Sequence, residues 1–198
     1  MNSSVFFYTP AIEIIQEYSK IFVELIEKRL FLKEKILIFQ CFGKNDLSKC
    51  IANFRGDRSK CFKCQSGLYE LKKKYNNNKN VEFISYLNKT KINYNIKTYD
   101  DLKKIMYDGI NIGIGVHSCL ITLTKDHNYS IKKYHHLIND QLRSCVLKID
   151  NLNLIKDKIK SVFVFNGRVS HYKVPIDFSI KNNKDFYVFE VVYNNSMF

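Results

Sequence analysis

Proline and glycine are scarce in this chain. Two prolines and seven glycines among 198 residues exclude a linker-rich or disordered polypeptide, which leans on both. No run of about 18 apolar residues occurs, so no membrane-spanning helix is expected. The opening stretch MNSSVFFYTPAIEI lacks a positive segment and a small-residue cleavage site, so no secretory signal is expected. The sequons at Asn2, Asn88, Asn128 and Asn194 then carry little meaning. A chain kept in a reducing compartment rarely holds stable disulfides, and the expected location is the cytoplasm. Acidic residues are also in the minority, 19 against 32 basic ones, for a formal net charge of +13. That balance attracts phosphates, nucleic acids, anionic lipid surfaces or anionic sugars. The positive residues are spread out, however, and also fit a lysine-rich solvated surface.

What is present is core-forming. Hydrophobic residues make up 45% of the chain, with 13 Tyr and 15 Phe, enough to bury a sizeable core. The length suits one domain, or one lobe of a two-lobed protein. The apolar run from Val5 to Thr9 predicts a strand. Ala11, Ile14, Ile15, Tyr18, Phe22, Leu25 and Ile26 repeat at helical spacing, with Pro10 suited to the first turn and an end near Leu32. KILIFQC, Lys35 to Cys41, predicts a buried strand. Strand, helix, strand at this spacing is a βαβ unit, which builds parallel sheets. Further along, the pattern predicts a helix from Leu68 to Tyr75, a loop over Asn76–Asn80 and a strand from Val81 to Leu87. A short helix follows, capped by Thr98 and ended by Gly109. A second amphipathic helix runs from Tyr129 through Cys145. Strands follow at VFVFNGR and at FYVFEVV, Phe186 to Val192. No internal repeat is apparent. The expected fold is α/β, a Rossmann-like, mostly parallel sheet flanked by helices. Ligands of such sheets bind outside the carboxyl ends of the strands.

Three segments stand out. Cys41, Cys50, Cys61 and Cys64 have the spacing C-x8-C-x10-C-x2-C. Cys61–Cys64 is a knuckle of the kind that grips structural zinc, which Cys41 and Cys50 could complete. Small buried thiols that merely pack, and a redox pair, remain the alternatives. Four thiolates would leave no open position, so a metal here would be structural. Between these cysteines, Arg55 and Arg58 offer bidentate forks to an anion, or sit on a solvated loop. In GINIGIGVHSC, Gly113 and Gly115 allow close approach by a ligand or a neighbouring helix. Neither a dinucleotide fingerprint nor a P-loop is present. His117 and Ser118 follow, with His117 a candidate base or hydroxyl ligand, or an ordinary core histidine. In FNGR, Asn166 and Arg168 lie where a strand empties into a loop. They suit hydroxyl and anion contacts, or a plain tight turn. His135 and His136 lie mid-helix and read as structural or exposed.

Taken in order, FYTP, ILIFQC with the cysteine segment, YDGINIGIGVHSCLIT and VFVFNGR resemble the N-terminal region of bacterial glycosyltransferases that build capsular and other surface polysaccharides. The resemblance spans nearly all of the chain and implies one lobe of the two-lobed GT-B architecture over residues 1–198, with residues 41–64 as a cysteine-rich insertion loop. It also implies that the four cysteines belong together. In that family the N-terminal lobe receives the acceptor and often supplies the base, here His117; the C-terminal lobe binds the nucleotide-sugar donor. No second lobe fits in 198 residues, so the chain reads as a fragment, a truncated product or half of a split enzyme. The implied partners are a glycan or lipid-linked saccharide acceptor, a second lobe and the inner membrane face. The runner-up is a zinc-knuckle nucleic-acid-binding module, against which the aromatics fall mostly in apolar runs.

Overall fold

The computed structural model describes residues 3–8, 16–40, 58–85, 92–166 and 170–189, with backbone only at 16–18, 58, 60 and 171. The sheet has five strands: β1 (Ser3–Phe7), β2 (Lys35–Gln40), β3 (Val81–Ser85), β6 (Ile159–Phe165) and β7 (Asp185–Phe189). Their order is β3-β2-β1-β6-β7 and every pairing is parallel. The expected α/β, Rossmann-like sheet is therefore what the chain forms. A separate short hairpin joins β4 (Met106–Tyr107) to β5 (Ile110–Asn111).

Parallel neighbours need crossovers, and right-handedness decides which face each helix covers. The path β1, α1 (Gln16–Phe31), β2, α2 (Arg58–Tyr75), β3 moves one way across the sheet. Phe6, Tyr8, Ile36, Ile38 and Phe163 form the layer under α1 and α2, with Phe22, Ile26, Leu68 and Leu71. From β3 the chain returns past β2 and β1 to β6, so its helices cover the other face. There Val5, Phe7, Leu37, Phe39, Val162 and Val164 pack against the long α5 (Ile131–Leu154). Strand residues thus alternate between two cores, and buried on both faces they read as apolar runs. The return path also carries α3 (Tyr99–Lys103), the hairpin and α4 (Gly113–Thr124), and α6 (Ser170–Lys181) then links β6 to β7.

Several expectations shift in detail. The helix expected from Leu68 begins ten residues earlier, at Arg58. Thr98 does cap α3 in a full capping box with Asp101, but Gly109 does not end it. Asp108 (φ 46°) and Gly109 (φ 67°) turn the β4–β5 hairpin, the paired positive φ values that two-residue hairpins demand. Helix α6 was not read from the sequence, in part because Pro175 lies inside it.

At the amino ends of the strands, Glu34 is 5% exposed and accepts from the Ser4 hydroxyl and from Lys160 Nζ at 2.7 Å. Arg29 lies 3.5 Å away, and Ser4 also meets Ser161 at 2.8 Å. Burial pushes the Glu34 carboxyl up, but the bonds from Lys160 and Ser4 and the charge of Arg29 outweigh it, leaving the group below its ordinary value. This cluster ties β1, β6 and the α1–β2 turn together at the end opposite the carboxyl edge.

Candidate ligand site at the carboxyl edge of the sheet

In a sheet wound both ways, the crevice opens where the winding reverses. Here the reversal lies between β1 and β6. Tyr8 follows β1, and Asn166 follows β6. Asn166 turns the chain out of the sheet at φ 44°, a conformation asparagine tolerates, while its N–H bonds Phe189 O at 3.3 Å. Arg168, two residues on, lies outside the described residues, as do Arg55, Cys41 and Cys50; Arg58 is the first residue of α2, described by its backbone only.

A polar cluster lies buried beneath this edge. Ser170, the first residue of α6, is fully buried. Its N–H bonds Cys119 Sγ at 3.2 Å and its Oγ meets the same sulfur at 3.0 Å. Its hydroxyl also donates to Gln141 Oε1 at 3.4 Å. Lys148 is buried as well, with its ammonium 5.8 Å from the centre of the Phe7 ring at the end of β1. Burial pushes the Cys119 thiol up to about 11 and the Cys145 thiol up to about 12, against the pull of Ser170 and Lys148. Both stay protonated near neutrality, and so do not act as nucleophiles there. Sequence reading missed Gln141, Ser170 and Lys148. The signal was available: Gln141, Ser144, Lys148 and Asn151 repeat at helical spacing on α5, and all are buried.

The two glycines are explained by packing. A Cβ on Gly113 would stand 1.7 Å from the carbonyl oxygen of Leu102, and one on Gly115 would stand 3.0 Å from Ser170 Cα. Both approaches are of backbone to backbone, which joins α4 to the end of α3 and to the start of α6. The close approach permitted by these residues is therefore taken up by neighbouring helices. Ser118 is half-buried on the second turn of α4.

His117 faces a different direction. Its Nδ1 lies 2.9 Å from the Tyr129 hydroxyl, and its ring packs against Tyr99 and Tyr129. Tyr99 in turn donates to the Tyr129 carbonyl. Burial holds the imidazole below its ordinary value, helped by Lys103 and His127. It is therefore neutral near pH 7. The Tyr129 residue is 1% exposed, and its hydroxyl would be left an unmet donor unless it donates to Nδ1. That arrangement puts the ring proton on Nε2, leaving it as the donor of the ring. Acting as a base requires the other tautomer, with Nδ1–H donating to Tyr129.

Cys61 and Cys64 lie one turn apart in α2, half-buried and buried respectively. Cys64 packs in the apolar layer with Tyr8 and Leu68. Among the described residues no three His, Cys, Asp or Glu side chains gather as a metal site. His135 and Asn139 are neighbours on α5, and Asn139 holds the Tyr94 backbone through its amide at 2.7 Å, a structural task. A groove of about 500 Å³ runs between α1 and α2, lined by Tyr8, Phe22, Phe62, Lys63, Glu70 and Lys74 among others. Among the described residues no helix is long and apolar enough to cross a membrane.

Comparisons of the chain with family models, with curated proteins and with solved structures give no match.

Proposed function

We propose that this chain is a saccharide-binding lobe, the acceptor-side half of a glycosyltransferase of surface-polysaccharide assembly. The observation that carries the reading is the winding reversal between β1 and β6, with Asn166 at the carboxyl end of β6 beside it. An asparagine amide both donates and accepts, as sugar hydroxyls require. The sequence resemblance supplies the chemical class, since parallel sheets of this kind serve many ligands. In this reading Asn166 and Arg168 hold the acceptor, and His117, in the tautomer that donates from Nδ1 to Tyr129, is the candidate base. The net charge of +13 favours an anionic glycan or a lipid-linked saccharide phosphate, met at the inner face of a membrane. The nucleotide-sugar donor belongs to a second lobe, and so does turnover.

The test is saturation-transfer NMR on the whole chain with three probes: an anionic oligosaccharide, a nucleotide sugar and a single-stranded oligonucleotide. Binding of the oligosaccharide alone, weakened several-fold by Asn166→Ala, is the expected result. Salt-sensitive binding of the oligonucleotide with none of the saccharide would overturn it in favour of a nucleic-acid module.

A further inference from the structure

Three turns at the amino edge of the sheet, α1–β2, α5–β6 and α6–β7, each leave apolar side chains in solvent. Phe31 is 87% and Leu32 53% exposed in the first, Leu154 63% in the second and Ile180 61% in the third. Single exposed apolar residues are ordinary, but these are tied into one surface. Lys160, at the start of β6, and Arg29, in the last turn of α1, both face Glu34 of the first turn. Asn153, beside Leu154, donates to Asp108 Oδ2 at 3.1 Å. Lys181, beside Ile180, pairs with Asp108 Oδ1 at 2.8 Å. Lysines stand among the apolar groups. Lys28, Lys33, Lys156 and Lys158 are exposed and Lys184 is half-exposed, against Asp157 and Asp185. Glu34 and Asp108 already face cations. Lysine near a helix carboxyl end offsets the helix dipole. That explains Lys28 on α1, but it asks for no exposed phenylalanine or leucine.

We infer that this amino edge docks on the surface of an anionic bilayer. Phe31, Leu32, Leu154 and Ile180 enter the headgroup boundary, where apolar side chains leave water. The lysine stems lie along that apolar surface while their ammonium groups reach lipid phosphates, each worth about fivefold in binding. The residue types select this partner. Aliphatic side chains give bases no stacking platform, and lysine lacks the fork of arginine. Protein interfaces are depleted of lysine. The longest strand, β6, has seven residues and rises about 23 Å, so the carboxyl edge faces away from the bilayer at about that distance. The saccharide reading sets the chain at a membrane; this inference names the surface that meets it, and it stands or falls without any saccharide because lipid alone is the probe.

The test is co-sedimentation of the whole chain with vesicles of phosphatidylcholine, with and without phosphatidylglycerol. Binding to the anionic vesicles, weakened by salt, is expected. Phe31→Ser with Leu32→Ser should cut it about tenfold or more, and Lys156→Gln with Lys158→Gln roughly 25-fold. All four side chains are exposed, and circular dichroism checks that each variant folds. The chain has no tryptophan, so Phe31→Trp carries a fluorescence signal of its own. Its emission should shift to the blue on anionic vesicles. Phe62→Trp, 75% exposed near the start of α2 at the opposite edge, should show no shift. A chain that stays in the supernatant with anionic vesicles at low salt overturns the proposal. So does binding that survives loss of Phe31 and Leu32, since charge attraction alone would then account for it. A blue shift at Phe62 with none at Phe31 would put the contact on another face and overturn it equally.

Discussion

Replacing Gly113 with alanine tests whether the glycines around His117 serve packing, and the expected cost can be worked out. The added Cβ would lie 1.7 Å from the Leu102 carbonyl oxygen, whereas a carbon and an oxygen rest at about 3.3 Å or more. The carbonyl must therefore retreat by roughly 1.5 Å. It cannot do so freely: it accepts the Ile105 N–H at 3.1 Å, and Ile105 O in turn accepts from Ile112 and Gly113. Leu102 itself is fully buried. Overpacking a tight site costs about 1–3 kcal/mol, and the disturbed turn adds about 1 kcal/mol. The sum, about 2–4 kcal/mol, lowers the melting temperature of a chain this size by roughly 10 °C. Gly115→Ala meets Ser170 Cα at 3.0 Å, a smaller overlap partly offset by alanine's helix preference of about 1 kcal/mol. Gly109→Ala meets nothing closer than 3.7 Å but keeps a positive φ, at about 1–2 kcal/mol. Circular-dichroism melts of the three variants should rank Gly113 well above the other two. A Gly113→Ala protein melting within about 3 °C of the parent would refute the packing account and return these glycines to a ligand.

Two further outcomes follow from buried groups. Glu34→Gln keeps the shape but removes the charge that Lys160 and Arg29 face. A loss near 2 kcal/mol at pH 7 is expected in urea melts, below the usual figure for a buried pair because Lys160 is 43% exposed. The Glu34 carboxyl is held below its ordinary value of 4.5, so its contribution is present above that pH and fades as pH falls through the lowered value. The gap between parent and variant should narrow on acidification, and a constant gap would contradict the assignment. Cys119 and Cys145, with thiols pushed up to about 11 and about 12, should resist alkylation at pH 8 until the chain is unfolded, while half-buried Cys61 reacts first. Mass-spectrometric labelling that finds Cys119 modified as fast as Cys61 would show that the cluster under the crevice opens.

The elements legible in the sequence are those with one strong period. Val5–Phe7, Ile36–Phe39 and Val162–Phe165 are apolar throughout because both faces of a parallel strand are covered, and this is visible without knowing the neighbours. Phe22, Leu25 and Ile26 of the helical stripe are legible because one face meets a single core, while its start at residues 10–15 lies outside the described residues. Helix α6 was not legible. Pro175 argues locally against it, and the burial of Val174 and Phe178 is a tertiary gain that local preference does not contain. Gly109 was placed at a helix end because a helix cap and a hairpin turn both want positive φ. The residues that separate the two readings, Met106 and Asn111, are neighbours only once the chain has turned.

The candidate site shows the same division. FNGR was singled out because a strand empties there into a polar loop, and Asn166 does stand at the carboxyl edge. Sequence alone determined the α/β class and the mostly parallel pairing, because periodicity and spacing are local properties of the chain. Only the tertiary structure decided that Gly113 and Gly115 face helices, that Tyr129 engages His117 Nδ1, and that Lys148 and Ser170 lie buried beneath the winding reversal. Those facts depend on distances between residues far apart in sequence, which the packing of the two cores sets and no short motif encodes.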